Sequence, residues 1–421
     1  MGDDHFFRHE AALLVAALTR VFGVQNLALA EDVAQDALCR ALEVWRLRGA
    51  PDDPHAWLVR TAKNRALDVL RRERTARTFA PEITRQLESD GATQSLESAS
   101  RLLDAALDPL ALHDDVLRMM FSCCQPRLAE EVQVALVLQL VCGFSVGEIA
   151  RAFLAGEAAI EKRLVRGKKQ LQASRALFEL KDAGDFAQRL LAVQRALYLL
   201  FNEGYHSASD DASVRVELCE EAMRLTSLLL AQPLAATPST HALAALFCLH
   251  AARLNARTDL AGNLLTLEDQ ERAQWNQSLI AEGFRQLAAS AAGDELTLFH
   301  LEAAIAAEHA RAPSHAETDW AAIVRLYDTL LTLDTSPVIA LNRAVAVAQL
   351  EGPLRGLLAL RALPHVERLS RYPFYFAALG ELTLRAGDSH AAHGHFSAAL
   401  AQARSASERR FFEGRLAACT H

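Results

Sequence analysis

Hydrophobic residues recur at intervals of three or four along most of the 421-residue chain, which is the spacing of one face of an α-helix. Leu58, Ala62, Ala66, Val69 and Leu70 form one such face. Strand-forming residues are thin, Ala and Leu recur throughout, and Pro is confined to apparent junctions. The pattern predicts an all-α protein.

The helical patterns are separated by segments of a different character. A chain of this length exceeds one ordinary hydrophobic core, so we expect two or three domains. The stretch "LESDGATQSLESASR" is polar and small, as is typical of a flexible linker. The sequence predicts a helical block at 8–75, a linker at 76–111, a second helical block at 112–176 and a long helical region at 181–421.

The first block ends in a basic helix, "WLVRTAKNRALDVLRRERT", with six basic residues against two acidic ones. Its basic side chains lie opposite the apolar face and can bind a polyanion, although a solvated surface helix has the same pattern. Trp57 and Trp45 flank the loop at 46–56, where aromatic rings can stack on unpaired bases. The residues predicted to contact DNA are Trp57, Arg60, Lys63, Asn64, Arg71, Arg72 and Arg74.

The second block contains a second basic helix after a short one. Ser145 and Glu148 have the spacing of a capping box, so a helix should begin at Val146. A break near Gly156 precedes another helix from Glu157. A helix, a tight turn and a basic helix form the helix-turn-helix plan, although two unrelated packed helices remain an alternative. The predicted DNA-contacting residues are Glu157, Lys162, Arg163, Arg166, Lys168 and Lys169.

Positive charge is concentrated in these two helices, although the formal net charge of the chain is −8. Residues 1–180 carry 23 Lys and Arg against 25 Asp and Glu, and residues 181–421 carry 21 against 27. Most of the acidity therefore lies in the C-terminal half. Two basic helices in separate blocks indicate nucleic-acid binding more specifically than the overall charge does.

Together the two blocks resemble an extracytoplasmic-function sigma factor of bacterial RNA polymerase. "AEDVAQDALCRALEVW" is similar to the region-2 helix that docks on the polymerase clamp, and the first basic helix to the one that engages the −10 promoter element. "SVGEIARAFLAGEAAIEKRLVRGKKQL" resembles the region-4 helix-turn-helix that reads the −35 element. The resemblance implies that core polymerase, through its clamp and flap regions, and promoter DNA are the partners. The polymerase-binding residues that it implies are Asp32, Gln35, Asp36 and Arg40.

The remainder resembles the extension of one sigma-factor subgroup, in which a tetratricopeptide-like helical domain follows region 4. Segments such as "LYLLFNEGYHSA", "SPVIALNRAVAVAQLEGP" and "ERRFFEGRLA" carry this match. The repeat pattern is also visible directly: Phe376, Leu379, Gly380, Ala392 and Phe396 fit it. Such repeats form a concave surface suited to a regulatory protein or peptide. The subgroup usually has Cys-Cys-His-Pro where this chain has "CCQP".

Other chemistry has little support in the sequence. The seven cysteines are scattered without a Cys-x-x-Cys pair, so we expect no metal site, and adjacent Cys123 and Cys124 fit packing better than redox sensing. Walker and G-x-G-x-x-G motifs are absent, so no cofactor is expected. "FNEGYHSASDD" fits a turn between helices better than a catalytic cluster. The chain is therefore predicted not to be an enzyme.

Two rival interpretations stay open. One is a tetratricopeptide scaffold or adaptor without promoter function, and the other is an enzyme built around His206 and Glu203. The apolar stretches are far shorter than the roughly 18 to 20 residues that span a bilayer. "AALLVAAL" lacks the cleavage site of a signal peptide. We therefore expect a cytoplasmic protein.

Overall fold

The computed structural model describes residues 3–72, 100–153, 155–174, 177, 183–206, 212–259, 263–403 and 406–419. These residues are predominantly helical and include no β-strand apart from an isolated antiparallel bridge between Thr258 and Leu264. The all-α prediction is confirmed. None of the described helices combines the length and apolarity needed to cross a membrane. The chain divides into two compact units, Met1–Leu200 and Phe201–His421.

The first unit contains both helical blocks expected from the sequence. Its helices are α1 (Asp3–Phe22), α2 (Leu27–Arg48), α3 (Pro54–Arg72), α4 (Pro109–Cys123), α5 (Glu130–Leu136), α6 (Val146–Ala152), α7 (Glu157–Gln172) and most of α8 (Ala183–His206).

The core of the first unit is built around α1 and α5. Leu14, Leu18 and Phe22 of α1 are almost completely buried, and so is Phe121 of α4. Helix α5 continues as a π-helical turn at Val137–Val141, and both segments are rich in Val and Leu. Because α5 is apolar on more than one face, it is enclosed by its neighbours rather than lying at the surface.

The end of the expected linker differs from the polar segment that we predicted. Residues 100–106 are helical, and Leu103 and Ala106 within them are buried. Their spacing of three residues places both side chains on one helix face, which explains why this part packs. Residues 73–99, which include most of the linker, lie outside the described residues.

The second unit consists of consecutive helices, and residues at or next to their first turns determine where many of them begin. They are α9 (Ala212–Ala231), α10 (Pro238–Ala251), α11 (Gln277–Ser290), α12 (Leu298–Arg311), α13 (Trp320–Leu333), α14 (Pro337–Glu351), α15 (Pro353–Arg361), α16 (Pro373–Arg385), α17 (Ser389–Ala401) and α18 (Ala406–Ala418).

Polar N-caps and first-turn prolines begin many of these helices. The carboxylate of Asp319 accepts a hydrogen bond from the Ala322 amide at 2.8 Å, and Asp388 caps α17 in the same way at 2.9 Å. Proline starts α10, α14, α15 and α16, where its missing N–H leaves no hydrogen bond unmade. The sequence therefore sets these boundaries directly.

The predicted repeat positions lie at the contact between α16 and α17. Leu379, Gly380, Ala392 and Phe396 are buried there, while Phe376 is half-buried. Gly387 joins the helices with a φ of +91°, which is the left-handed region that glycine adopts without strain. The two helices therefore pair through the residues that the repeat pattern selected.

The described residues of the polar segment "NARTDLAGNLLTLEDQERAQWN" include the end of one short 3-10 turn, at Leu254–Ala256, and all of another, at Arg272–Gln274, and they pack within the second unit. Gln270 and Trp275 are buried. Arg272 donates hydrogen bonds to the carbonyl oxygens of His309 and Ala312, the latter at 2.7 Å. These contacts tie the loop to the end of α12.

Candidate nucleic-acid interface

Helix α2 presents a polar face above a buried face of small residues. Ala30, Ala34, Ala37 and Ala41 are completely or almost completely buried. The four residues that the resemblance assigned to polymerase binding are all exposed on the other side: Asp32, Gln35, Asp36 and Arg40. Small buried residues allow α2 to lie close to its neighbours, and the exposed side chains stay accessible.

Helix α3 separates its apolar and basic residues as its sequence predicted. Leu58, Ala62 and Ala66 are completely buried, whereas Arg60 and Asn64 are exposed. The helix begins where the Asp53 carboxylate accepts a hydrogen bond from the Ala56 amide at 2.9 Å. The backbone of α3 includes Arg71 and Arg72, but their side chains are outside the described set. Arg74 lies wholly outside the described residues.

Two basic side chains of α3 already have acidic partners. Lys63 Nζ lies 2.5 Å from Asp104 Oδ1, and Arg65 Nε lies 2.6 Å from Asp36 Oδ2. Arg65 was not among the residues predicted from the sequence. It borders a groove of about 310 Å³ that also includes Arg40 and Glu43 of α2. The Asp36 pair therefore joins the polar face of α2 to the basic helix.

An aromatic cluster stands at the start of α3. The rings of Trp45 and Trp57 meet edge to face with centroids 5.5 Å apart, and Phe7 lies 5.4 Å from Trp45. Trp45 Nε1 is buried and has no hydrogen-bond partner within the described part of the chain. The two tryptophans thus support one another beside the loop at 46–56, and their stacking on bases stays a prediction.

Helices α6 and α7 begin at the residues that the sequence predicted. Ser145 N and Oγ donate hydrogen bonds to Glu148 Oε2 at 2.8 and 2.7 Å, and the Glu148 amide donates to Ser145 Oγ at 3.3 Å. This is the predicted capping box, and α6 starts at Val146. On α7, Ile160, Leu164 and Leu171 are buried.

The basic residues of α7 divide into exposed and paired ones. Lys162, Arg166 and Lys169 are exposed, together with Glu157 at the helix start. Arg163 Nη2 lies 2.7 Å from Glu131 Oε2, and Lys168 Nζ lies 2.6 Å from Glu31 Oε1. Because Glu31 belongs to α2, the Lys168 pair brings the two predicted blocks together.

Comparison with known proteins finds a sigma-70 domain in the N-terminal part of the chain. The family model of sigma-70 region 2 matches residues 6–76, which hold α2 and α3. An uncharacterized protein of Rhizobium meliloti is 41% identical over 394 residues, which cover 94% of this chain and 90% of that protein. Residues 6–76 are therefore similar to sigma-70 region 2, which supports a sigma-70 family factor. Residues 189–291 match a family of unknown function, DUF6596, and no solved structure matches the chain.

The match to sigma-70 region 2 supports a sigma-factor-like role in transcription initiation. Sigma-70 region 2 binds core RNA polymerase and promoter DNA, so α2 and α3 belong to the segment with those partners. The sigma-70 family consists of non-catalytic transcription factors. The part played by each side chain on α2, α3 and α7 stays a prediction.

The first unit also has a buried carboxyl group that links the two predicted helical blocks. Asp115 of α4 is fully buried, and its Oδ1 lies 3.3 Å from Arg20 Nη1 of α1 and 3.0 Å from Arg118 Nη1. Burial raises the pKa of Asp115 to about 6, in opposition to the two guanidinium groups, which lower it. Neither arginine was singled out in the sequence.

The other candidate residues do not form a reactive centre within the described part of the chain. Cys123 and Cys124 are completely buried, and burial raises the pKa of both thiols, which suppresses the reactive thiolate. No group of three His, Cys, Asp or Glu residues in the described ranges has the arrangement of a metal site. These features agree with packing as the role of the two cysteines.

The first part of "FNEGYHSASDD", which the sequence predicted as a turn, is helical. Residues 202–206 form the end of α8, and α9 starts at Ala212. The helical apolar spacing of Leu197, Phe201 and Tyr205, all buried, extends through these residues and explains the longer helix. Asp210 and Asp211, which the sequence placed near Glu203, lie outside the described residues.

Proposed function

We propose that the protein is an alternative sigma factor of the extracytoplasmic-function kind, which directs core RNA polymerase to specific promoters. The observation that carries the proposal is the arrangement in the region-2 segment, where the exposed polar face of α2 adjoins the basic helix α3 through Arg65 and Asp36. One element can then bind polymerase while its neighbour binds the −10 element.

In the proposal, residues 112–176 act as region 4 and α7 is the recognition helix of a helix-turn-helix. Lys162, Arg166 and Lys169 are exposed on one side of α7, opposite Ile160 and Leu164. Their positions suit contacts to the phosphates that border a major groove. Such contacts fix the position of the helix on the −35 duplex, while base edges supply the sequence preference.

The proposal assigns residues 181–421 to a tetratricopeptide-like extension that acts in cis. Support comes from paired helices such as α16 and α17, which are joined by a short turn at Gly387. Chains of paired helices present extended surfaces to partners. The extension would then support or gate the polymerase complex without a separate regulatory subunit.

The test is reconstituted transcription with core RNA polymerase that lacks any sigma factor. We expect promoter-specific transcript only when the protein is added. Arg60→Gln and Arg166→Gln should each lower the transcript by about three- to tenfold, because each removes a phosphate contact. Binding of each variant to core polymerase, measured separately, should stay unchanged.

Arg195→Gln is the matched control. Arg195 is exposed on α8 and lies 3.4 Å from Glu130, so the variant loses the same charge on a helix that the proposal does not place on DNA. It should transcribe like the wild-type protein, because a surface ion pair contributes little to stability. Absence of promoter-specific transcript with wild-type protein would reject the proposal in favour of a scaffold function.

A further inference from the structure

The second unit contains a large cavity between its helices and the irregular loop. Its volume is about 1140 Å³, which is larger than a typical pocket for a small molecule. Helix α14 contributes Asn342 and Gln349, which are seven residues apart on one helix face. Helix α16 contributes Glu381 and Arg385, and the loop contributes Arg257. The cavity is therefore lined by both regular and irregular segments.

Arg257 is a cation in this wall that has no acidic partner among the residues that the structure describes. Its guanidinium lies 4.0 Å from the centre of the Tyr205 ring and donates a hydrogen bond to the Tyr205 carbonyl oxygen. No carboxylate of the described residues lies within 4.0 Å of Arg257. Burial and the nearby Arg253 lower the pKa of Arg257, although an arginine stays charged at neutral pH. Several of its N–H donors are thus available to an anion.

Acidic residues of the cavity, by contrast, already have partners. Glu268 Oε2 lies 2.5 Å from Arg385 Nη2, and Glu381 pairs with both Arg385 and Arg415. Asp269 accepts a hydrogen bond from the hydroxyl of Thr266. A polyanion such as nucleic acid would be repelled by these three carboxylates. A ligand with a single carboxylate opposite Arg257 satisfies the charges that are present.

The rest of the lining suits an extended peptide. Trp320, Tyr372, Phe374 and Phe411 are half-buried and offer separate apolar surfaces. Asn342 is exposed and makes no hydrogen bond with the described residues, so its amide can donate to and accept from a peptide backbone. The apolar surfaces can bind side chains of a peptide, while the amide groups form hydrogen bonds with its main chain.

We propose that this cavity binds a peptide segment of a partner protein, with a carboxylate of the peptide paired to Arg257. The carboxylate belongs either to an acidic side chain or to a chain terminus, because both present the same two oxygens to a guanidinium. The inference builds on the proposed regulatory role of the extension. Binding is measured without polymerase, so its failure would leave the sigma-factor proposal standing.

The test uses the full chain and three pools of short peptides of mixed Leu, Phe and Ser composition, each labelled at the N-terminus with an uncharged BODIPY dye that has no carboxylate. The first contains Asp and has amidated C-termini, the second contains Asn and has free C-termini, and the third contains Asn and is amidated. Fluorescence polarisation should show the third pool binding about tenfold more weakly than the first, the second, or both. The stronger pool identifies the source of the carboxylate.

Variants assign the effect to the cavity. Arg257→Gln should remove the preference for the carboxylate-bearing pool, while Arg257→Lys should keep part of it because the charge remains. Asn342→Ala, at an exposed position, should weaken binding of every pool by a common factor of about five without changing the preference. Arg355→Gln is the control, since Arg355 is exposed on α15 and outside the cavity lining.

Circular dichroism melting checks that each variant is folded. Equal binding of all three pools by the wild-type protein, or binding of none, would overturn the proposal. So would a preference that persists in folded Arg257→Gln. If Arg257→Gln does not fold, the proposal is judged by Asn342→Ala, and undiminished binding by that variant overturns it.

Discussion

A single carboxyl group shows how the burial of one residue affects the first unit. Asp115 lies between Arg20 and Arg118 and has no exposed surface. Transfer of a carboxylate out of water costs more here than the two guanidinium groups recover, so the pKa is raised to about 6. The Asp115 carboxylate therefore binds a proton more tightly in the folded state than in the unfolded state.

We predict that this residue makes the first unit less stable as the pH rises. The pKa is 3.8 in the unfolded chain and about 6 in the folded one, so the folded state holds more protons between these values. The free energy of unfolding should fall by about 3 kcal/mol between roughly pH 4 and pH 7 from this group alone. Asp115→Asn should lack that component.

The measurement is urea unfolding at several pH values, followed by hydrogen exchange in peptides from α1 and α4. Each protein is compared with itself across pH, so a general loss of stability in Asp115→Asn does not affect the result. Asp52→Asn, at an exposed position in the same unit, should keep the wild-type profile. Identical pH profiles for wild type and Asp115→Asn would contradict the prediction.

At the scale of elements, the pairing of α16 with α17 depends on one close approach. A Cβ placed on Gly380 would stand 2.9 Å from a carbon of the Phe396 ring, which is itself almost completely buried. Gly394 is also on α17, but a Cβ there would meet nothing within 4 Å. Two glycines of neighbouring helices therefore have different roles, although both lower helix propensity.

We predict opposite effects of alanine at these two positions. Gly380→Ala should destabilise the second unit by about 2 kcal/mol, because the methyl group forces the ring or the helix to move. Gly394→Ala should be neutral or stabilising by up to about 1 kcal/mol, since alanine favours the helix. Thermal unfolding followed by circular dichroism measures both, and similar melting temperatures for the two variants would show that the close packing is not limiting.

The basic helices show which parts of an element can be read from local spacing. The buried residues of α7 and the capping box at Ser145 and Glu148 follow from intervals of three and four, and both predictions are confirmed. These intervals do not show which basic side chains of α7 form ion pairs and which stay exposed. Lys168 is paired with Glu31 and Arg166 is exposed, yet both fit the same basic pattern.

At the scale of the whole molecule, the boundary between the two units lies within α8 (Ala183–His206). The N-terminal part of this helix belongs to the first unit: Phe186 stacks on Phe121 at 5.3 Å, and Arg189 donates a hydrogen bond to the Phe121 carbonyl oxygen at 3.2 Å. A truncation at residue 181 would remove these contacts, so it would disturb the first unit as well as remove the second.

Truncation after His206 therefore tests the proposed role of the extension more cleanly. We predict that it changes promoter-specific transcription at least about threefold in the reconstituted system. Reduced transcription indicates that the extension supports the polymerase complex, and increased transcription indicates that it gates activity. Hydrogen exchange in α4 serves as the control for an intact first unit. Transcription equal to that of the full chain would reject a role in cis.

The sequence by itself determined the helices, their caps, the basic faces of α3 and α7, and the likeness to sigma factors. These properties depend on residues a few positions apart, whose geometry the helix fixes. Only the tertiary structure decided which charges meet. Glu31 and Lys168 are 137 residues apart, and Arg20 and Asp115 are 95 apart. The cavity around Arg257 likewise needed side chains from several helices. Such contacts depend on how helices pack, which local periodicity does not specify.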